Sequence, residues 1–304
     1  MIRSLHLTDT PVLLLFLGKS PVNEARVRER LASNEIELLA AVPLLKACFI
    51  SDNKKCSFIC VQRGFIQALV SLKRCRGPGA WMINRLLLSP GREEVCSDLL
   101  ERAGFAGDKT QAERLFLRLE STSPAVDMAK RAGFTHYLTE YLYYLEETHR
   151  TEPPQVSLVL RPKSGADEYG LFRLYTAAAP HQVRRAEGMT LQEWNQSRDK
   201  DATWELVSEK NGEISAWLRI RLGRTAGRFE IVTELGPDEL GQLVDYSLAA
   251  LKGRHPVYCL ASEFQQQLQH ILEERGFVRV ESYSCLSKQL AVRVREPQLV
   301  PLQA

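Results

Sequence analysis

Long apolar runs are missing from this sequence of 304 residues. A membrane helix needs roughly 20 consecutive apolar residues, and the longest candidate, Pro11 to Leu17, is closed off by Asp9 and Lys19. That excludes a helical membrane span. The segment also lacks the basic start and small-residue cleavage site of a secretory signal, so a cytoplasmic protein is expected. Disulfide spacing is missing too. The seven cysteines (Cys48, Cys56, Cys60, Cys75, Cys96, Cys259 and Cys285) are odd in number, which reads as free intracellular thiols. No C-x2-C pair occurs and His255 with Cys259 stands alone, so no metal site is expected. There is no P-loop, no dinucleotide fingerprint and no Ser-His-Asp order. A formal charge of +3 is too small to name a partner.

What the chain does have is length and repetition. Its size exceeds one ordinary core, which points to two domains, and 44% hydrophobic with 25% charged residues is the composition of a globular protein. Three short patterns occur in the same order in both halves. An apolar-Arg opening with an Asp six residues after the Arg reads "IRSLHLTD" from Ile2 and "LRPKSGAD" from Leu160. A G-x-I-x-A pattern is carried by Gly64, Ile66 and Ala68, then by Gly212, Ile214 and Ala216. A Gly-Phe pair, Gly133-Phe134 and Gly276-Phe277, stands where a helix stops and a strand starts, a place where Gly meets no Cβ penalty. The offsets are 158, 148 and 143 residues, so the second copy is slightly compressed. Together they predict a tandem repeat. Pro153-Pro154 suits a linker between the copies, and "REPQLVPLQA" reads as a loose tail.

Each half reads strand, helices, a run of strands, helix, strand, helix, strand. "CSFICVQ", "GFIQALVSL" and "AWMINRLLL" read as successive strands, with a Gly-Pro-Gly turn between the last two. In the second half Asn211-Gly212 is a strong hairpin signal between "ATWELVSE" and "EISAWLRI". Ser123 before Pro124 is a good N-cap for the helix that ends at Gly133.

This order, with G-x-I-x-A on the third strand and the last helix running into Gly-Phe, resembles the GNAT superfamily of N-acetyltransferases, once from 1 to 150 and again from 156 to 292. The resemblance implies an α+β fold of two tandem GNAT-like domains, each a mixed, mostly antiparallel sheet flanked by helices. Each half is expected to have its own sheet, with Gly64 matching Gly212 and Gly133 matching Gly276. One continuous sheet would count against the duplication itself. The resemblance also implies acetyl-CoA or another acyl-CoA entering where the fourth and fifth strands splay apart, its pyrophosphate on a Gly-rich helix start, R/Q-x-x-G-x-G/A.

Backbone N–H groups at such a turn converge on an anion. The first copy reads "SPGREEVCSDLL" there, with Gly91 and Arg92 suited to phosphate and Glu93 and Glu94 against it. The second reads "ELGPDELGQLV", with Gly236 and Gly241 beside Asp238 and Glu239. The family motif is absent from both, so the binding residues expected are Gly236, Gly241 and Arg92. The Tyr that many members use as general acid, four residues before the last helix's Gly, is replaced by Ala129 and Leu272. A general base is often a Glu on the fourth or fifth strand. The first copy's fourth strand has none, while the second has Glu230 and Glu234 on one face by strand periodicity.

From Asn53 to Arg92 no acidic residue occurs among eight basic ones, and Arg219, Arg221, Arg224 and Arg228 repeat the theme without an acid until Glu230. A phosphate or nucleic-acid surface is one reading. Near-neutral overall charge favours a turn whose charges are paired within the fold and argues against nucleic acid. His181, Arg184, Arg185, Glu187 and Trp194 cluster where family members contact the acceptor, with Trp194 also suited to packing. The resulting expectation is an acyl-CoA-dependent N-acyltransferase with a diverged cofactor loop, acting on a small-molecule or protein amine. The alternative is a non-catalytic GNAT-fold binding or scaffold protein, since fold outlives function. Oligomeric state stays open.

Overall fold

The computed structural model describes residues 1–28, 55–92, 94–105, 112–147, 158–198, 204–223 and 226–290. The expected linker at Pro153-Pro154, the tail, Cys48, Glu93 and Arg224 lie outside them. The first half runs β1 (Ile2–Ser4), α1 (Thr10–Leu17), β2 (Val22–Asn23), β3 (Lys55–Gln62), β4 (Phe65–Arg74), β5 (Ala80–Leu88), α2 (Glu94–Gly104), β6 (Arg114–Glu120), α3 (Ala125–Arg131) and β7 (Thr135–Leu145). The second runs β8 (Leu160–Pro162), α4 (Glu168–Ala178), α5 (His181–Glu187), α6 (Leu191–Ser197), β9 (Trp204–Lys210), β10 (Glu213–Leu222), β11 (Gly227–Thr233), α7 (Pro237–Ala250), β12 (Val257–Ser262), α8 (Gln266–Glu274) and β13 (Val278–Gln289).

Each landmark has a local physical cause that recurs in both halves. The Arg–Asp spacing makes a two-pronged ion pair: Arg3 donates to both Asp9 oxygens at 2.6 and 2.5 Å, and Arg161 to both Asp167 oxygens at 2.8 and 2.7 Å. The same carboxylates accept the backbone N–H of His6 and of Ser164, fixing the entry to α1 and α4. In G-x-I-x-A the glycine is a left-handed turn residue, φ +81° at Gly64 and +79° at Gly212. The second x is a β-bulge: the register skips Gln67 between Ile66 and Ala68, and Ser215 between Ile214 and Ala216. The bulged carbonyls of Gln67 and Ser215 each accept an N–H just beyond the fourth strand, from Ser89 and Glu234. Gly133 and Gly276 have φ +84° and +86°, and Phe134 and Phe277 donate to Ala129 and Leu272. The helix stop thus closes identically twice. Ser123 caps α3 as expected, accepting the Ala125 N–H.

The expectation of one sheet per half fails. The strands form one sheet ordered β1-β3-β4-β5-β6-β13-β7-β12-β11-β10-β9-β8, with β2 beside β5. The cause is an exchange. Each half's closing strand leaves its own fifth strand and pairs with the other's, β13 on β6 and β7 on β12, and the two closing strands then pair antiparallel with each other. Continuity therefore arises from two like halves that trade their last strand, and it does not argue against duplication. Packing follows the exchange. Leu286 of β13 is fully buried in the core under α2 and α3, while Tyr143 of β7 is buried in the core under α7 and α8. Residues 1–150 and 156–292 remain our proposed bounds for the copies, as repeats and not as independent folding units.

A chain of residues 1–150 leaves β6 with an open edge and the Leu286 place empty, and exposed strand edges associate. It is expected to aggregate, with soluble, compact protein recovered only when residues 151–304 are co-expressed. Size-exclusion chromatography with far-UV circular dichroism checks this, and a folded monomer of 1–150 alone would show the halves to be independent.

Candidate active site

The fourth and fifth strands of each half are parallel neighbours for only three residues, Ala80–Met82 with Arg114–Phe116 and Gly227–Phe229 with Val257–Cys259. Beyond that they splay, and the two clefts differ. The first is filled by the chain itself. Val22 and Asn23 pair with Leu88 and Leu87, Glu24 donates its N–H to Leu86, Ala25 bridges Leu119, and Arg26 donates to Arg118. Side chains lock this wedge: Asn23 Oδ1 accepts the Leu86 N–H, and the Ser123 hydroxyl donates to Glu24 at 2.6 Å. An acyl-CoA arm has no room in that cleft.

The second cleft opens into a cavity of about 150 Å3. Glu230, Ile231 and Val232 of β11 line one side, and Leu260, Ser262, Phe264 and Gln265 line the other. Gln265 spans the splay, donating to the Ile231 carbonyl at 2.6 Å and accepting the Ser262 N–H at 2.9 Å. Aromatic walls come from Trp194 and Trp217, whose rings flank the Arg198 guanidinium at 4.7 and 4.6 Å. The cavity also reaches the first half, at Met82, Phe116 and Arg118.

No family model matches this sequence, and no curated protein is similar to it. Solved structures are. A GCN5-related N-acetyltransferase from Sphaerobacter thermophilus aligns over 95% of this chain and 95% of its own, at 13% identity and a TM-score of 0.55. A tandem GNAT protein from the clavulanic acid biosynthesis pathway aligns over 97% of this chain and 99% of its own, at 13% identity and a TM-score of 0.52. This chain has the tandem GNAT fold. At such identity the likeness is one of architecture, and activity has to be argued from the residues.

Those residues divide sharply. Glu230, chosen from the sequence as a base, sits beside Arg219 at 3.1 Å, Arg228 at 3.2 Å and Arg28 at 3.6 Å. Burial opposes its charge, yet Arg28, Arg219 and Arg228 outweigh it and hold the carboxyl down at about 2. Such a group stays ionised and is a weak proton acceptor. Glu234 is exposed beyond the end of β11. Gly236 precedes α7, but its N–H is donated to the Glu239 carboxylate, which also takes Lys210 at 3.0 Å. With Pro237 lacking an N–H, this turn does not fit a diphosphate. Gly241 is buried within α7, its absent Cβ leaving 3.1 Å to Arg275. Arg92 is exposed and paired with Glu94 at 3.3 Å. His181 and Arg185 are exposed and Arg184 is half-buried, whereas Trp194 is buried and faces the cavity.

Several charges of the basic hairpins are paired within the fold. Arg219 and Arg228 are buried against Glu230, and Arg76 lies near Glu168 and Glu205. Sequence reasoning missed the partners that the exchange brings in. Arg28 and Arg118 (Nε–Oε2 2.7 Å) both donate to the buried Glu140 of β7, whose pKa is lowered because the two arginines overcome its burial. The Arg228 guanidinium donates to the Arg28 carbonyl. Tyr137 of β7 and Tyr175 of α4 donate to Glu187, at 3.4 and 3.0 Å.

Glu230 makes the stability acid-sensitive with a definite sign. The unfolded chain takes up a proton near 4.5, the folded protein only near 2, so stability is full above about 4.5 and falls as pH drops through that window. Thermal melts from pH 6 to 2.5 are expected to show a shallower acid decline for Glu230→Gln than for the parent, from a lower starting Tm. An unchanged slope would mean the carboxylate is not held as described.

Proposed function

We propose that the chain is an N-acyltransferase that uses acyl-CoA, acetyl-CoA in the first instance, and that of the two clefts only the second works. The observation carrying this reading is the contrast between the clefts. The first is filled by residues 22–26, and the second opens into a cavity with titratable side chains. The acyl-CoA arm would lie along β11 and β12, with Gln265 withdrawn from Ile231 to free that carbonyl. When bound, it supplies a thioester carbonyl to an amine in the cavity. Trp194, Trp217 and Phe264 exclude water, and Glu230 fixes Arg219 in the wall. Soluble, cytoplasmic action on a small-molecule or protein amine completes the proposal.

A second reading, a binding or scaffold protein without catalysis, is favoured by one specific feature. The helix start that would cradle a diphosphate in the second half is satisfied internally by Glu239.

Hydrogen exchange with and without acetyl-CoA separates the readings. The transferase reading expects a raised Tm, by mass action, with slowed exchange in residues 230–235 and 260–265 and none in 22–26 or 83–88. Protection of the first cleft instead would overturn the choice of half. No stabilisation at any acetyl-CoA concentration would favour the scaffold.

A further inference from the structure

Among the described residues three carboxylates line the cavity, and their surroundings set them apart. Glu140 and Glu230 are clamped by arginines and held ionised. Glu187, at the end of α5, has among the described residues no arginine within ion-pair distance. Its two oxygens accept hydrogen bonds from Tyr175 and Tyr137, which orient the carboxylate without neutralising it. Burial raises its pKa, opposed by Arg28 and Arg118 and reinforced by Glu140. Carboxyls whose environments push their proton affinities apart take different tasks. The clamped pair are fixed anions, and Glu187 is the one that can take up and release a proton.

The remaining walls describe what would stand before it. Trp194, Trp217, Phe264 and Leu260 are apolar or aromatic, Arg198 and Arg219 lie over the tryptophan rings, and among the described residues the buried Trp217 indole N–H has no hydrogen-bond partner. The cavity volume of about 150 Å3 is that of a site known to hold a benzene-sized molecule. We infer that this cavity binds a small primary amine with a body about one aromatic ring in size, and that the Glu187 carboxylate receives its ammonium group and accepts one proton from it. The step balances: R–NH3+ and the Glu187 carboxylate become R–NH2 and the Glu187 carboxylic acid, leaving the nitrogen lone pair free. This deepens the N-acyltransferase reading and rests on it for the fate of the amine, though not for the binding.

Benzylamine and benzyl alcohol are near-isosteric probes that differ in the charge. Titrated into the full chain near pH 7.5 and followed by tryptophan fluorescence and calorimetry, benzylamine is expected to bind at least about tenfold tighter, the worth of one charge-assisted hydrogen bond. Glu187→Gln should erase that preference while leaving benzyl alcohol unchanged. In the parent the preference should fade as pH falls through the raised Glu187 pKa, above the ordinary carboxylate range of about 4.3, with no such titration in Glu187→Gln. Arg28, Arg118, Arg198, Arg219, Glu140 and Glu230 are the other charges lining the cavity, and their own states do not change in that range. Equal affinity of the two probes for the parent overturns the inference, and so does a preference kept by Glu187→Gln. The probe pair decides even where the variant folds poorly. Amine binding without acyl transfer defeats the transferase reading and leaves this one standing.

Discussion

The antiparallel pairing of β7 with β13 is the contact on which the rest of the molecule depends. These two strands close the halves they do not belong to, so the sheet is continuous only because the exchange is reciprocal. The exchange also decides where chemistry can occur. It carries Tyr137, Leu138 and Glu140 on β7, with Cys285 on β13, to the cavity wall. First-half residues Arg28, Phe116 and Arg118 meet second-half residues Glu187, Trp217 and Glu230 there. A cavity built this way exists only in the assembled pair, and neither copy contains it alone.

Burying charges at that seam is costly unless each is paired and bonded, and the pairing here spans the whole chain. Arg118 and Glu140 come from β6 and β7 of the first half, with β13 of the second lying between them in the sheet, while Arg219, Arg228 and Glu230 belong to one hairpin of the second. Arg28 touches both carboxylates and offers its carbonyl to Arg228. It reaches this position because residues 22–26 run through the first cleft. The segment that removes one cleft therefore supplies the cation that ties the two halves' ion pairs together. Filling one cleft and completing a structural network are the work of the same segment.

Much of the fold was legible because its signals are local. An Arg six residues before an Asp, a glycine three before a bulged strand position, and a glycine at a helix end each impose a geometry within one turn of chain. Their order survives in both halves. The exchange was not legible, since alternation in "THYLTEYLYYL" fits any neighbouring strand equally well and register with a partner is not written in period two. The site was legible in part. Glu230 opposes Arg219 across a hairpin, a pairing that strand register alone could have suggested, and it turns a plausible base into a fixed anion. Glu187 stood inside the cluster chosen around Trp194, yet only the fold shows that it faces inward while His181 and Arg185 face water. Arg28 meets Glu140 from 112 residues away, beyond any local pattern.

The start of α7 shows why a missing motif differs from a missing function. A helix N-terminus presents unpaired N–H groups that attract an anion, whichever anion is nearest. In this chain Glu239 provides one intramolecularly, and the Lys210 bond with the Gly236 N–H lowers its pKa, so it is ionised and in place. A diphosphate would have to displace a carboxylate tethered three residues away, against its charge and that of Asp238. On the proposed transferase reading, binding energy for an acyl carrier would therefore have to come from the splayed strands and the cavity, where backbone carbonyls and apolar walls would hold a pantetheine arm whatever lies at its far end. Selectivity would then move from the nucleotide to the acyl arm and the acceptor, the parts that the cavity would meet.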